Sequence, residues 1–208
     1  MTIVLVASTT RGQDTVPGSL PAPKQSDAES WSFSLAATGY AIPHGTSYIS
    51  PTITADRGWL HLEGRYNYES LHTGSLWIGY NFVLADKPEL KLTPMLGGVF
   101  GRNNAIAPGY LGTFNYKRIA AFSQGEFVFD TQDKVGSFFY SWSELSYGPA
   151  EWFRVGLAFQ RTKAYQTPLG VQRGFLVGVS YKELELTTYV FNLGWTDPTI
   201  VVSLAASF

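Results

Sequence analysis

The chain has 208 residues, the length of one domain, with a net charge of −1, 15% charged and 15% aromatic residues and no cysteine. The charged fraction is well below the roughly 25% of an average soluble domain, yet mean hydropathy is only −0.02. Without a basic excess there is no nucleic-acid footprint, without cysteine there are no disulfides or thiolate metal sites, and no run of about 18 apolar residues exists to form a membrane helix.

The chain opens with MTIVLVASTTRGQ, in which the apolar run Ile3 to Ala7 is followed by small residues. Residues 1–13 read as the tail of a secretory signal peptide whose first residues are missing. Residues 14–30, with Pro17, Pro21 and Pro23 among Gly, Ser, Lys and Asp, read as a flexible periplasmic lead-in.

From Trp31 onward the hydrophobic period is two, the mark of β-strands. Leu60, Leu62, Gly64, Tyr66 and Tyr68 share one face, and His61, Glu63, Arg65, Asn67 and Glu69 share the other. Leu76, Ile78, Tyr80 and Phe82 oppose Trp77, Gly79 and Asn81. Leu90, Leu92 and Leu96 oppose Lys91, Thr93 and Gly97. Farther on, Phe153, Val155, Leu157 and Phe159 oppose Arg154, Gly156, Ala158 and Gln160. Phe175, Val177, Val179 and Tyr181 oppose Gln172, Gly174, Gly178 and Ser180.

About twelve such runs are countable, near 31–42, 46–55, 58–69, 73–84, 90–102, 108–117, 119–131, 136–147, 151–163, 170–182, 184–194 and 199–208; 10–14 strands are compatible with the pattern. Most reach the roughly 9–11 residues that a tilted strand needs to cross a bilayer. Tight connections at 55–58, 85–89, 117–118, 148–150 and 182–183 alternate with mostly longer ones. Short turns on one side and longer loops on the other are expected of a transmembrane barrel. Because every backbone N–H and C=O needs a partner in hydrocarbon, strands without membrane helices cross only as a closed barrel. The fold expected is all-β: an antiparallel up-and-down transmembrane β-barrel over residues 31–208.

The last strand carries a resemblance. Ile200, Val202, Leu204, Ala206 and Phe208 alternate on one face and end in an aromatic. This is similar to the C-terminal strand of Gram-negative outer-membrane β-barrel proteins, although Ala206 stands where an aromatic is common. The resemblance implies a bacterial outer-membrane location. It also implies that Ile200, Val202, Leu204 and Phe208 act as a signal to the barrel assembly machinery, with outer-membrane lipid as the surroundings. It is one of architecture and names no specific family.

In that architecture the polar faces line the lumen. His61, Glu63, Arg65 and Asn67 then form a candidate constriction, with Glu126, Arg154, Gln160 and Gln172 at lumen parity on other strands. Such a set either packs and holds the barrel or filters solutes, and both can hold. Trp77, Trp152 and Tyr189 have lumen parity, as do Tyr140 and Trp142 if Glu144 does. Trp31, Trp59, Tyr68, Tyr80, Tyr116, Tyr147, Trp152, Tyr165, Tyr181 and Trp195 fall near strand ends, where an interfacial aromatic girdle belongs.

For catalysis, His72 and His44 fall in loops without a His–Ser pattern, so no catalytic residue is assigned. His61 and Glu63 alone do not make a metal site, and no cofactor is implied. The function expected is a passive or weakly selective channel for small solutes. The rival readings are a barrel enzyme acting on lipid, such as a lipase or deacylase, and a plugged structural barrel with partner-binding loops.

Overall fold

The computed structural model describes residues 30–132, 136–164, 167–194 and 198–208. The segments 1–13 and 14–29 therefore lie outside the described residues, as do Tyr165 and Trp195. The strands are β1 (Ser32–Ala41), β2 (Tyr48–Arg57), β3 (Leu60–Tyr66), β4 (Thr73–Tyr80), β5 (Phe82–Asp86), β6 (Glu89–Gly101), β7 (Ala105–Tyr116), β8 (Ile119–Asp130), β9 (Phe138–Ala150), β10 (Phe153–Ala164), β11 (Gly170–Tyr181), β12 (Leu184–Phe191) and β13 (Thr199–Ser207). Apart from β4 and β5, each pairs antiparallel with its neighbours in chain order, and β1 pairs with β13 from Ser34↔Ser207 to Ala41↔Ile200, which closes the sheet. At the seam Phe33 and Phe208 exchange backbone hydrogen bonds of 3.1 and 2.9 Å.

The barrel has twelve crossings because β4 and β5 are one crossing, broken at Asn81. β4 lies between β3 and β6, whereas β5 pairs only with β6, since it runs past the start of β3. The run expected at 73–84 is thus interrupted by a break that period-two patterning does not register. Asn81 turns inward there, donating through Nδ2 to Asp56 Oδ1 at 2.8 Å and accepting from Thr93 Oγ1 at 2.7 Å.

Two-residue turns gather at one rim: 58–59, 87–88, 117–118, 151–152 and 182–183. Two of them sit later than the sequence suggests, because β2 extends to Arg57 and β9 to Ala150. Gly58, Lys117 and Lys182 open their turns with φ of 55°, 55° and 56°, a left-handed conformation matched to the twist of two-residue hairpins. The connections at the opposite rim are longer, including 42–47 and 67–72.

The alternation holds around the ring. Outward faces present Leu76, Ile78, Phe175 and Leu204, exposed by 66%, 55%, 59% and 50%. A continuous apolar band of this kind is foreign to a water-facing surface and belongs against lipid. Trp31, Trp59, Tyr80, Tyr116, Tyr147, Trp152 and Tyr181 are all exposed, and all lie at the tight-turn rim. Trp59 stacks on Tyr80 with centroids 5.3 Å apart. Seven of the ten expected girdle residues therefore ring one edge. Tyr68 is a correction: it is half-buried and turns inward from the loop after β3. Trp152 is another, since its turn carries it outward and away from the lumen that its parity suggested.

Candidate functional site

Inward residues of the strands meet in the lumen. On β3, His61, Glu63 and Arg65 are all buried. His61 Nδ1 lies 2.9 Å from Asp56 Oδ1, and its Nε2 lies 3.3 Å from Glu63 Oε2. Arg65 donates through Nε and Nη2 to both oxygens of Glu63, at 2.7 and 3.2 Å, and through Nη1 to Glu126 Oε2 at 2.7 Å. Glu126 stands on β8, and β4, β6 and β7 intervene between it and β3. The Arg65–Glu126 pair therefore spans the lumen rather than linking neighbours.

The guanidinium of Arg65 is also sandwiched by aromatics, with its carbon 4.4 Å from the ring centres of both Tyr68 and Trp77. A cation over a ring face is attracted by the ring quadrupole, so this packing fixes the arginine in the plane of the constriction. Tyr68 meets Tyr140 edge-on and hydrogen-bonds to Gln124. Trp77 lies over Gly97 and Gly109, where a Cβ would run into its ring. Two glycines on adjacent strands thus make the recess that a tryptophan needs inside a narrow barrel.

A second network lies toward the tight-turn rim. Arg154 on β10 donates to Glu185 Oε1 at 2.9 Å and to Thr187 Oγ1 at 3.0 Å, with Glu144 Oε2 3.7 Å away. Glu144 on β9 accepts from Trp142 Nε1 at 2.6 Å and from the Tyr189 hydroxyl at 2.9 Å. Tyr189 stands on β12, so this contact also crosses the interior. Trp142 packs edge-on against Tyr189 and Phe191, at 5.0 and 5.2 Å between centroids. Arg154 lies against Gly178, whose missing side chain leaves it room.

Six carboxylates (Asp56, Glu63, Glu69, Glu126, Glu144 and Glu185) thus face two guanidiniums (Arg65 and Arg154) and His61. Glu69 Oε2, Glu126 Oε1 and Glu144 Oε2 are buried acceptors with no protein hydrogen-bond partner among the described residues. The space that remains between Arg65, Tyr68, Trp77, Gln124, Glu126 and Tyr140 is too small for a water molecule.

Most expected lumen residues therefore do face inward. His61, Glu63, Arg65, Glu126 and Arg154 are in the networks, while Gln160 and Gln172 pair across β10 and β11, half-buried and nearer the loop rim. Asn67 is the exception. β3 ends at Tyr66, and Asn67 has a φ of 54° and closes the following loop, donating to Ile49 O and accepting from His72 N. Asp56, Glu144, Glu185, Tyr189 and Trp142 complete the site. Strand parity points to each of them, but the contacts that join them lie across the lumen.

The same barrel occurs in solved porin structures. The chain is similar to the KdgM porin in complex with disordered oligogalacturonate, at TM-score 0.57 and 12% identity, covering 85% of this chain and 99% of that one. Similarity to the KdgM porin described without that ligand is the same, at 0.57 and 12%, covering 84% and 99%. The chain has the outer-membrane β-barrel fold. It is also similar to the NanC porin, at 0.56 and 11%, covering 85% and 98%. No protein-family model matches the sequence, and no curated protein sequence matches it either. At this level of identity the likeness carries the architecture of the barrel and not its solute.

Proposed function

We propose that this protein is a bacterial outer-membrane channel of the narrow porin type, with a mid-lumen constriction formed by Glu63, Arg65 and Glu126. The observation that carries the reading is the 2.7 Å Arg65–Glu126 pair, made across the lumen by strands with three others between them. Charged side chains meeting across a pore select by sign and size. The excess of carboxylates favours cations and small neutral solutes. The KdgM porin described above is in complex with an acidic oligosaccharide, and the acidic lumen of this chain argues against solutes of that charge.

A second reading, a barrel plugged by its own side chains, is favoured by the absence of room for water beside Arg65. Against a permanent plug stand the three buried carboxylate oxygens that accept no protein hydrogen bond among the described residues, since a sealed core satisfies its polar groups. Nothing in the loop geometry favours the enzyme reading. His72 uses its backbone N–H, donated to Asn67 Oδ1, to close the 67–72 loop.

Planar-bilayer recording of the refolded protein tests the proposal. The expected result is small, cation-preferring conductance that increases several-fold in Arg65→Ala. Silence from wild type and variant alike, with both shown to be folded, would refute the channel and leave the plugged barrel.

A further inference from the structure

The inward side chains change character toward the long-loop rim. On β9 the buried Glu144 and Trp142 give way to the half-buried Tyr140. On β10 the buried Ala158 gives way to Gln160, on β11 Leu176 to Gln172, and on β1 Ala36 to Tyr40, each of the three half-buried. Tyr48, opposite Tyr40 on β2, and Tyr68, in the loop after β3, are half-buried as well. Solvent therefore enters the lumen from this side, and these residues line its mouth above Arg65 and Trp142.

The four tyrosines form one connected surface. Tyr40 stacks on Tyr48, with centroids 4.6 Å apart and planes 13° from parallel. Tyr140 reaches Tyr40 across the lumen, from a strand separated from β1 by four others. It also meets Tyr68 edge-on, at 5.7 Å between centroids. Tyr68 accepts a hydrogen bond from Gln124, so its own O–H is left to donate. Gln160 and Gln172 stand opposite each other in the sheet, and neither amide makes a side-chain hydrogen bond to the protein among the described residues. The tyrosines and these two glutamines are uncharged, in contrast to the carboxylate-rich constriction beneath them.

We propose that this mouth binds an uncharged saccharide. The proposal names a solute class for the channel described above and rests on that reading. A sugar ring offers a C–H surface and a fringe of hydroxyls. Aromatic faces take the first, while amides and phenols, which both donate and accept, take the second. Ligand sites in barrel mouths combine aromatic walls with a few polar groups in this way. A cation offers no acceptor to the amide N–H groups of Gln160 and Gln172, and an anion is repelled by the carboxylate excess below.

Saturation-transfer NMR of the refolded full chain in a non-saccharide detergent tests the site. The probes are maltotriose, cellotriose and N-acetylchitotriose, with trigalacturonate as the acidic comparison. At least one neutral trisaccharide is expected to bind, and trigalacturonate is not. Gln160→Leu/Gln172→Leu keeps the bulk of the side chains but removes their hydrogen bonds, and should weaken binding about tenfold. Tyr48→Ala, altered only at the start of β2, should also weaken it and provides the comparison if the double variant does not fold. Failure of all three neutral sugars to bind, or equal binding by wild type and a folded variant, would overturn the site, as would trigalacturonate binding as well as they do. Planar-bilayer current from the same preparation separates the two readings. Saccharide binding by a barrel that never conducts overturns the channel and leaves the site, whereas conductance without saccharide binding overturns the site and leaves the channel.

Discussion

Replacing Arg65 with alanine is the most informative single perturbation of this barrel. The side chain satisfies both oxygens of Glu63 and one of Glu126, lies 3.8 Å from Glu69, and fills the slot between Tyr68 and Trp77. Its removal leaves three buried carboxylates facing one another without their shared cation. Breaking a buried ion pair by removing one partner costs about 3–5 kcal/mol. The missing aromatic packing adds to this, whereas water entering the vacated slot reduces it, so about 3–5 kcal/mol remains the expectation. Adding Glu126→Gln to Arg65→Ala should recover about 1–2 kcal/mol, because neighbours in one charge network are not additive. Urea unfolding of the refolded protein, followed by tryptophan fluorescence and heat-modifiable gel migration, measures both quantities. A cost below about 1 kcal/mol for Arg65→Ala, or strict additivity in the double variant, would refute the claim that one guanidinium holds the two walls together.

Two further outcomes follow from the lumen packing. Gly97→Ala puts a methyl group into the ring of Trp77, which Arg65 covers and whose Nε1 donates to Ser75 at 2.9 Å; a loss of about 1–3 kcal/mol is expected from the same unfolding assay, and an unchanged midpoint would mean that the ring is not held in place. Asn81→Ala removes the hydrogen bonds to Asp56 and Thr93 at the break between β4 and β5, at a cost of about 1.5–3 kcal/mol for the one to a charged group; amide exchange should then quicken in β5 before it does in β3, and uniform exchange across both would count against a local anchor.

Much of this barrel is legible in the chain, because alternation is a property of single strands. The parity of Leu60 to Tyr66 separates the wall of the lumen from the lipid face, and it assigns Glu63, Arg65, Glu126 and Arg154 inward before any coordinate is known. The ends of strands are less legible. Asn67 continues the alternating pattern but has left-handed backbone and belongs to a loop; Trp152 keeps lumen parity but lies in a turn. Parity has no meaning once the pleat stops. The break at Asn81 is invisible for a related reason, since it depends on β5 extending past β3.

The sequence by itself therefore determined the class: about twelve crossings, a polar interior, an apolar exterior and an aromatic rim. These follow from period-two patterning and from the requirement that backbone groups in hydrocarbon pair with one another. Only the tertiary structure decided which inward residues meet. Arg65 and Glu126, like Glu144 and Tyr189, come from strands that never pair, and closure of the sheet alone brings them within hydrogen-bond reach. Strand parity states which way a side chain points, and the curvature of the barrel settles what it finds there.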